Sequence, residues 1–140
     1  MNKILLVIAL LFASKITMAQ IDPTKGTWYN EEKDSKLQFF KNGEKLFCKV
    51  IWVDPKANLP TTDTHNPDAK LAKQPIIGMV FAKNFKYSGD NIWEGGTVYD
   101  PKNGKTYSGK ITVVNQNKID LRGFIGFSLI GRTSHFTRAN

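Results

Sequence analysis

The amino-acid sequence predicts a single all-β domain: an antiparallel barrel or sandwich of about eight strands, with one short helix in the loop after the third strand. Short segments of alternating apolar and polar residues recur at intervals of roughly ten residues. Turn signals such as Asn42-Gly43 and Pro101 to Gly104 separate these segments. No pattern typical of a crossover helix stands between strands, so we expect consecutive strands to pair antiparallel.

The first 19 residues predict a secretory signal peptide. Lys3 supplies the positive start, Ile4 to Phe12 form the apolar run, and Thr17-Met18-Ala19 form a small-residue cleavage site. The run is too short to cross a bilayer as a helix, and no later segment is longer. We therefore expect a periplasmic or secreted protein that does not span a membrane, with residues 20–140 as its one domain.

Charge and cysteine content exclude several classes of protein. The chain has 20 basic and 12 acidic residues, a formal net charge of +8. The basic residues are scattered without a run of five, so nucleic acid is not an expected partner. Solubility or attraction to anionic envelope surfaces accounts for the charge more simply. Cys48 is the only cysteine; we expect it to be a small buried apolar residue, and no disulfide can form within the chain.

The first half of the mature chain predicts three strands. Thr24–Tyr29 forms a short strand in which Trp28 closes one end of the core. A second strand covers Lys36–Phe40, and Asn42-Gly43 then forms a type I′ turn. The third strand, Lys45–Val53, alternates so that its core face consists of Leu46, Cys48, Val50 and Trp52.

A long polar loop follows from Asp54 to Gln74. Loops of this length are often functional. Asn66 is a suitable cap for a short helix that begins at Pro67 and ends before Pro75. We expect Asp63 and Asn66 to hold the loop down through hydrogen bonds to backbone N–H groups.

The stretch Asn91–Val114 predicts a complete hairpin with a defined register. The loop after Asp100 pairs Asp100 with Lys105, Val98 with Tyr107 and Gly96 with Gly109. Without a bulge, Glu94 faces the core and Trp93 faces the other side. A bulge at Gly95-Gly96 exchanges them, and we favour the bulge.

Three further strands complete the set, and closure of the sheet is favoured. The expected ranges are Ile76–Phe85, Lys118–Phe124 and Phe127–Thr137. Closing the sheet removes exposed edges, and the glycines after residue 94 permit the sharp coiling that a small barrel needs. Its interior is then either filled by side chains or able to hold one small ligand.

Two resemblances to known families support this fold. Gly26-x-Trp28 with a late arginine resembles the lipocalin and calycin arrangement, in which that arginine packs across the tryptophan; Arg132 or Arg138 takes this role. Most of 24–138 resembles a family of small secreted bacterial proteins catalogued as domain of unknown function 2147. The resemblance implies a lipocalin-like barrel of the bacterial envelope with no assigned chemistry. The residues that carry it include Gly26-Thr27-Trp28, Trp52, Asp63, Asn66-Pro67-Asp68, Pro75-Ile76-Ile77-Gly78-Met79, Trp93-Glu94-Gly95-Gly96, Tyr99-Asp100-Pro101, Gly104-Lys105-Thr106-Tyr107, Leu121-Arg122-Gly123 and Gly131-Arg132-Thr133.

Candidate ligand contacts are the large aromatic residues and a few polar ones. The aromatic side chains either plug the core or line a partly open cavity, in which Arg122 orients a polar head group. The predicted contacts, in the cavity or at the barrel mouth, are Trp28, Trp52, Asp63, Asn66, Trp93, Glu94, Tyr99, Tyr107, Arg122 and Arg132.

Catalytic and metal-binding motifs are missing from the sequence. Asp63, His65, Asn66 and Asp68 are clustered, but their spacing fits neither a zinc nor a calcium motif. There is no Gly-x-Ser-x-Gly elbow and no phosphate loop. We therefore expect no metal, no cofactor and no enzymatic activity, although Glu94 with a loop aspartate is the one pair of carboxylates that a hydrolase would use.

These observations predict a periplasmic or secreted protein that binds a small hydrophobic or amphipathic molecule without transforming it. The alternative is a solid barrel that serves a structural or protein-interaction role on its surface, and a homodimer is compatible with that role. The two differ in whether the barrel interior is open or filled.

Overall fold

Eight antiparallel strands, paired in the order of the sequence, close into a barrel in the computed structural model, which describes residues 19–127 and 129–140. Residues 1–18 of the predicted signal peptide lie outside the described residues. The first strand pairs with both the second and the eighth, which closes the ring. The strands are β1 Trp28–Tyr29, β2 Ser35–Asn42, β3 Lys45–Val53, β4 Val80–Gly89, β5 Ile92–Asp100, β6 Lys105–Asn115, β7 Lys118–Phe124 and β8 Gly131–Arg138.

The predicted fold class is confirmed, and most strand boundaries are close to those expected. Strands β3 and β7 have the predicted bounds, whereas β4 begins at Val80 and β8 at Gly131, four residues later than predicted in each case. The expected short helix is only a 3₁₀ turn at Leu71–Lys73, with a second such turn at Pro55–Ala57. The described residues include no helix long and apolar enough to cross a bilayer.

The two ends of the barrel differ, and we name them the base and the mouth. The base carries the β2–β3, β4–β5 and β6–β7 turns together with the segment that precedes β1 and the end of β8. The mouth carries the four longer connections, β1–β2, β3–β4, β5–β6 and β7–β8.

Trp28 and Arg138 close the base. The Trp28 indole is fully buried and donates a 3.0 Å hydrogen bond to the Pro23 carbonyl. The guanidinium carbon of Arg138 lies 4.3 Å from the centre of the Trp28 ring, and the same group donates to the carbonyls of Lys25 and Gln116. Of the two arginines that the sequence allowed, Arg138 is therefore the one that covers the tryptophan.

Apolar side chains fill the half of the barrel next to the base. Phe39, Phe85, Trp93, Ile111 and Ile119 are each no more than 1 % exposed. They belong to five different strands, so every part of the wall contributes to one core.

Two paired glycines make room for the Phe85 ring. Gly96 and Gly109 oppose each other on β5 and β6. A Cβ on Gly96 would lie 2.4 Å from the Phe85 ring, and one on Gly109 would lie 2.6 Å from it. The absence of side chains at both positions lets this ring lie flat against the barrel wall.

The β5 bulge has the predicted effect. Gly95 adopts a φ of +77° and is skipped in the register, so Trp93 pairs with Ile111 and Glu94 with Lys110. Trp93 is buried, and Glu94 is exposed on the outer face. The predicted pairs Asp100–Lys105, Val98–Tyr107 and Gly96–Gly109 are also present.

A second bulge, which was not predicted, exchanges the inward and outward faces at the end of β3. Leu37 pairs with Val50 but Lys36 pairs with Trp52, so Ile51 is the extra residue. The prediction that Trp52 shares the core face with Val50 is therefore wrong. Trp52 packs against the Lys36 ammonium, 5.2 Å from its ring centre, while Val53 packs against the core.

The turn between β2 and β3 also differs from the prediction. Asn42 pairs with Lys45, so the two loop residues are Gly43 and Glu44. Gly43 has a φ of +63°, and Glu44 has no positive φ. This is the type II′ pattern, because type I′ needs a positive φ at both loop residues.

Candidate ligand cavity at the barrel mouth

A cavity of about 810 Å³ occupies the half of the barrel next to the mouth. Its inner wall is apolar and is contributed by strands on opposite sides of the barrel, through Leu37, Val50, Phe81, Leu121 and Phe136. These side chains face inward because residues of one parity on each strand point to the barrel axis. A chamber of this size and lining suits one small apolar molecule.

The four connections at the mouth form the rim of the cavity. The β3–β4 connection is the longest and contributes Leu59, Pro60, Thr62 and His65, while the β7–β8 connection contributes Ile125 and Ile130. Both apolar and polar groups belong to the rim, whereas the side chains that the strands contribute below it are mainly apolar.

A buried carboxylate holds the long rim loop against the barrel. Asp63 is 4 % exposed, and it accepts a 2.7 Å hydrogen bond from the Tyr99 hydroxyl and a 2.9 Å bond from the Asn66 amide. Partial burial and the neighbouring Asp63 carboxylate raise the pKa of Tyr99 to about 12. Tyr99 is therefore a neutral hydrogen-bond donor at physiological pH.

The loop-anchoring role predicted for Asp63 and Asn66 is confirmed, although its partners are partly different. Both Asp63 oxygens accept from side chains, and the Asn66 carbonyl oxygen accepts from the backbone N–H of Asp68. A close backbone contact adds to the anchoring, because a Cβ on Gly104 would lie 2.0 Å from the His65 carbonyl oxygen. The β3–β4 loop is thus fixed to β5 and to the β5–β6 turn of the central hairpin.

Arg132 is the cationic side chain of the inner wall near the rim. It lies on β8 opposite Gly123, and both residues line the cavity. Within the described parts of the chain, its guanidinium has no hydrogen-bond or ion-pair partner. The acids that line the same cavity have other partners: Glu31 accepts from the backbone of His135, Glu32 lies 3.8 Å from the Lys102 ammonium, Asp34 accepts from the Asn30 amide and Asp100 from the backbone N–H of Lys102. Arg132 is therefore available to an anionic or polar head group.

Three of the ten predicted contact residues line this cavity: Tyr99, Tyr107 and Arg132. Trp28 and Trp93 lie in the core near the base, and Trp52, Glu94 and Arg122 lie on the outer face of the barrel. Asp63 and Asn66 line a second pocket of about 560 Å³, between the β3–β4 loop and strands β4 to β6.

The expected position of Arg122 is therefore taken by Arg132. On β7 the inward residues are Leu121 and Gly123, so Arg122 points outward, where it donates a 3.0 Å hydrogen bond to Thr133. The apolar wall was not among the predicted contacts. The alternation of apolar and polar residues around Leu37, Leu121 and Phe136 is the sequence signal that indicates it.

Side chains suited to metal binding are not assembled in the part of the chain that the structure describes. Nowhere there are three or more histidine, cysteine or acidic side chains placed so that they could hold a metal ion. Asp63 is the only carboxylate that lines the second pocket, and Glu94 lines neither pocket.

The closed eight-stranded barrel, with the arginine over the base tryptophan and the apolar cavity at one end, has a lipocalin-like fold. A family model described as an uncharacterized protein conserved in bacteria (DUF2147) matches residues 26–138, and the chain belongs to this family. A solved structure, described as protein HP1028 from the human pathogen Helicobacter pylori and as belonging to the lipocalin family, superposes with a TM-score of 0.75. That similarity covers 86 % of this chain and 85 % of the other at 21 % identity, which shows the shared fold. No curated protein matches the sequence.

Proposed function

We propose that this protein binds one small hydrophobic or amphipathic molecule in the mouth cavity and does not transform it. The observation that carries the proposal is the cavity itself, about 810 Å³ with an apolar wall and an opening at the mouth. A barrel completely filled by side chains would favour a purely structural role. Here the cavity leaves space inside the half next to the mouth.

The distribution of polar groups supports an amphipathic ligand. Arg132 lies next to the mouth end of β8, whereas Phe136 on the same strand lies closer to the base, and both line the cavity. An apolar tail pointing to the base and a polar or anionic head near Arg132 would match both halves. The arginine fork supplies several donors to one carboxylate or phosphate oxygen pair.

A non-catalytic role fits the described residues better than hydrolysis does. Glu94 is exposed on the outer face, on the far side of the barrel wall from the cavity, and Asp63 is held in hydrogen bonds under the loop. A paired-carboxylate reaction needs both groups to flank one bond. In this proposal the protein acts in the periplasm or outside the cell, because residues 1–19 have the pattern of a signal peptide.

A fluorescent fatty acid provides a direct test. We expect saturable binding to the purified protein and displacement by other single-chain amphiphiles. Ser134 lines the cavity, whereas its neighbour Thr133 faces outward. Ser134→Phe should reduce the affinity about tenfold or more by occupying the chamber, and Thr133→Phe should leave it within about twofold. Equal affinities in the two variants, or no saturable binding to the wild type, would contradict the proposal.

The head-group role of Arg132 has its own test. Arg132→Gln should weaken binding of the fatty acid several-fold but leave binding of an uncharged alcohol of the same chain length nearly unchanged. If both probes lose affinity equally, Arg132 contributes to the shape of the opening and not to recognition of charge.

A further inference from the structure

The β7–β8 connection presents four large apolar side chains to water. Ile125, Phe127, Leu129 and Ile130 are 70, 77, 90 and 71 % exposed, and we call these four residues the apolar tip. No other large apolar side chain of the described residues is more than 53 % exposed. Single exposed apolar residues are ordinary, but a contiguous group indicates an interaction surface.

The apolar tip is continuous with the wall of the cavity. Ile125 and Ile130 line the cavity, while Phe127 and Leu129 do not. The two isoleucines thus connect the chamber to the two residues that project furthest. A surface that covers the tip would also lie against the cavity opening.

Two arginines flank the tip along the chain. Residues 121–137 contain Arg122 and Arg132 and no acidic residue, whereas the acidic side chains of the cavity lining, Glu31, Glu32, Asp34 and Asp100, belong to other connections and strands. Arg122 and Arg132 lie on the strands that enter and leave the tip, and the whole chain has a formal net charge of +8. Apolar side chains flanked by arginines are typical of segments that enter the headgroup region of an anionic bilayer.

The size of the tip argues against a second copy of the chain as its partner. A stable protein interface involves about 20–30 residues on each side. The tip consists of four side chains on one projecting connection, which suits shallow insertion into a fluid phase better than a flat contact between proteins.

We propose that the apolar tip inserts into the surface of an anionic lipid bilayer and brings the mouth of the barrel against it. This goes beyond binding in the cavity, since the tip and its arginines can hold the protein at a membrane whether or not the cavity is occupied. The protein is then a peripheral one, attached through a single connection.

Vesicle flotation tests the proposal. The protein is produced with its own leader, its N terminus is determined by mass spectrometry, and it is mixed with vesicles of phosphatidylethanolamine and phosphatidylglycerol or of phosphatidylcholine alone. The wild type should float with the anionic vesicles and much less with the neutral ones. The double variant Phe127→Ser, Leu129→Ser should bind the anionic vesicles at least about tenfold more weakly, because it lacks the two apolar side chains that the bilayer would bury.

A matched double variant controls for general loss of surface hydrophobicity. Leu71 and Ile77 are 50 and 53 % exposed, lie on the β3–β4 connection, and line the second pocket instead of the main cavity. Leu71→Ser, Ile77→Ser should float like the wild type. All three proteins share the same N terminus, so the leader cannot account for a difference between them. Absence of flotation by the wild type, or equal flotation by the tip variant, would overturn the proposal.

Two additional measurements separate this proposal from ligand binding and from self-association. The tip variant should bind the fluorescent fatty acid as the wild type does, since Phe127 and Leu129 do not line the cavity. Loss of probe binding in every protein would refute the proposed function alone. If scattering shows a wild-type dimer that the tip substitutions convert to a monomer, without any effect of vesicles, the tip is a protein interface and the membrane proposal is wrong.

Discussion

The hydroxyl of Tyr99 donates a 2.7 Å hydrogen bond to the carboxylate of Asp63, a residue 36 positions earlier in the chain. This bond joins β5 to the longest connection of the rim, and Tyr99 itself lines the cavity. The position of the rim loop and the polarity of the cavity therefore depend on the same side chain.

Removing the Tyr99 hydroxyl should destabilise the protein. In Tyr99→Phe the buried Asp63 carboxylate loses its closest donor and keeps only the Asn66 amide, and loss of one partner by a buried polar group costs about 1–3 kcal/mol. We expect the free energy of unfolding in urea to fall by about 2 kcal/mol. Tyr107→Phe is the matched control: the Tyr107 hydroxyl accepts only an exposed bond from Asn103, so a loss below about 0.5 kcal/mol is expected. Equal losses would show that Asp63 does not depend on Tyr99.

The same pair predicts a late tyrosine titration. The folded pKa of Tyr99 is about 12, above its ordinary value of 10.0, because partial burial and the Asp63 carboxylate disfavour the phenolate. Since the folded pKa is raised, this group's contribution to stability is complete below pH 10 and is lost as the pH rises through about 12. Ultraviolet titration should show one tyrosine that ionises late and is missing in Tyr99→Phe. A wild-type titration identical to that of the variant would contradict this assignment.

Arg138 should matter for stability, whereas Arg132 should not. Arg138 stacks on Trp28 and donates to two backbone carbonyls at the base, so Arg138→Ala should cost about 2 kcal/mol. Arg132→Ala removes a side chain that faces an open cavity, and we expect a change within about 0.5 kcal/mol. Urea unfolding followed by tryptophan fluorescence measures both. A larger loss for Arg132 than for Arg138 would refute the assignment of the base arginine.

The position of the Phe85 ring predicts different effects on stability for alanine substitutions at two glycines that pair on neighbouring strands. Gly109→Ala places a methyl group 2.6 Å from the Phe85 ring, and such overpacking costs about 1–3 kcal/mol. Gly123 pairs with Gly109, and a Cβ there would have its nearest neighbour at an ordinary 3.6 Å. Gly123→Ala should therefore have little effect on the free energy of unfolding. Adding Phe85→Leu to Gly109→Ala should recover part of the loss, and a failure to recover any would point to backbone strain instead.

The central hairpin shows how much local sequence alone determines. The Pro101 to Gly104 loop has few conformations open to it, and this defines the pairing of Asp100 with Lys105 and of every pair up to the glycines. The Gly95 bulge was predicted because a buried Trp93 and an exposed Glu94 have a far lower free energy than the reverse arrangement. Local rules suffice here, since turn chemistry and burial favour the same register.

The end of β3 shows where local rules stop. Alternation placed Trp52 beside Val50 on the inner face, but the bulge at Ile51 turns it outward onto Lys36. No glycine or proline marks that bulge in the sequence. It arises from the way β2 and β3 twist against each other in the closed ring, so only the tertiary structure determined it.

The same distinction applies to the candidate site. Sequence alone determined the class of fold, the number of strands, the tryptophan at the base and the rim loop held by Asp63, because each depends on composition, period or turn chemistry over a few residues. Only the tertiary structure decided that Arg132 and not Arg122 faces the cavity, and that half of the barrel is open. The first outcome depends on which alternate residues of β7 and β8 face the barrel axis, and the second depends on the total volume of the side chains that all the strands place inside.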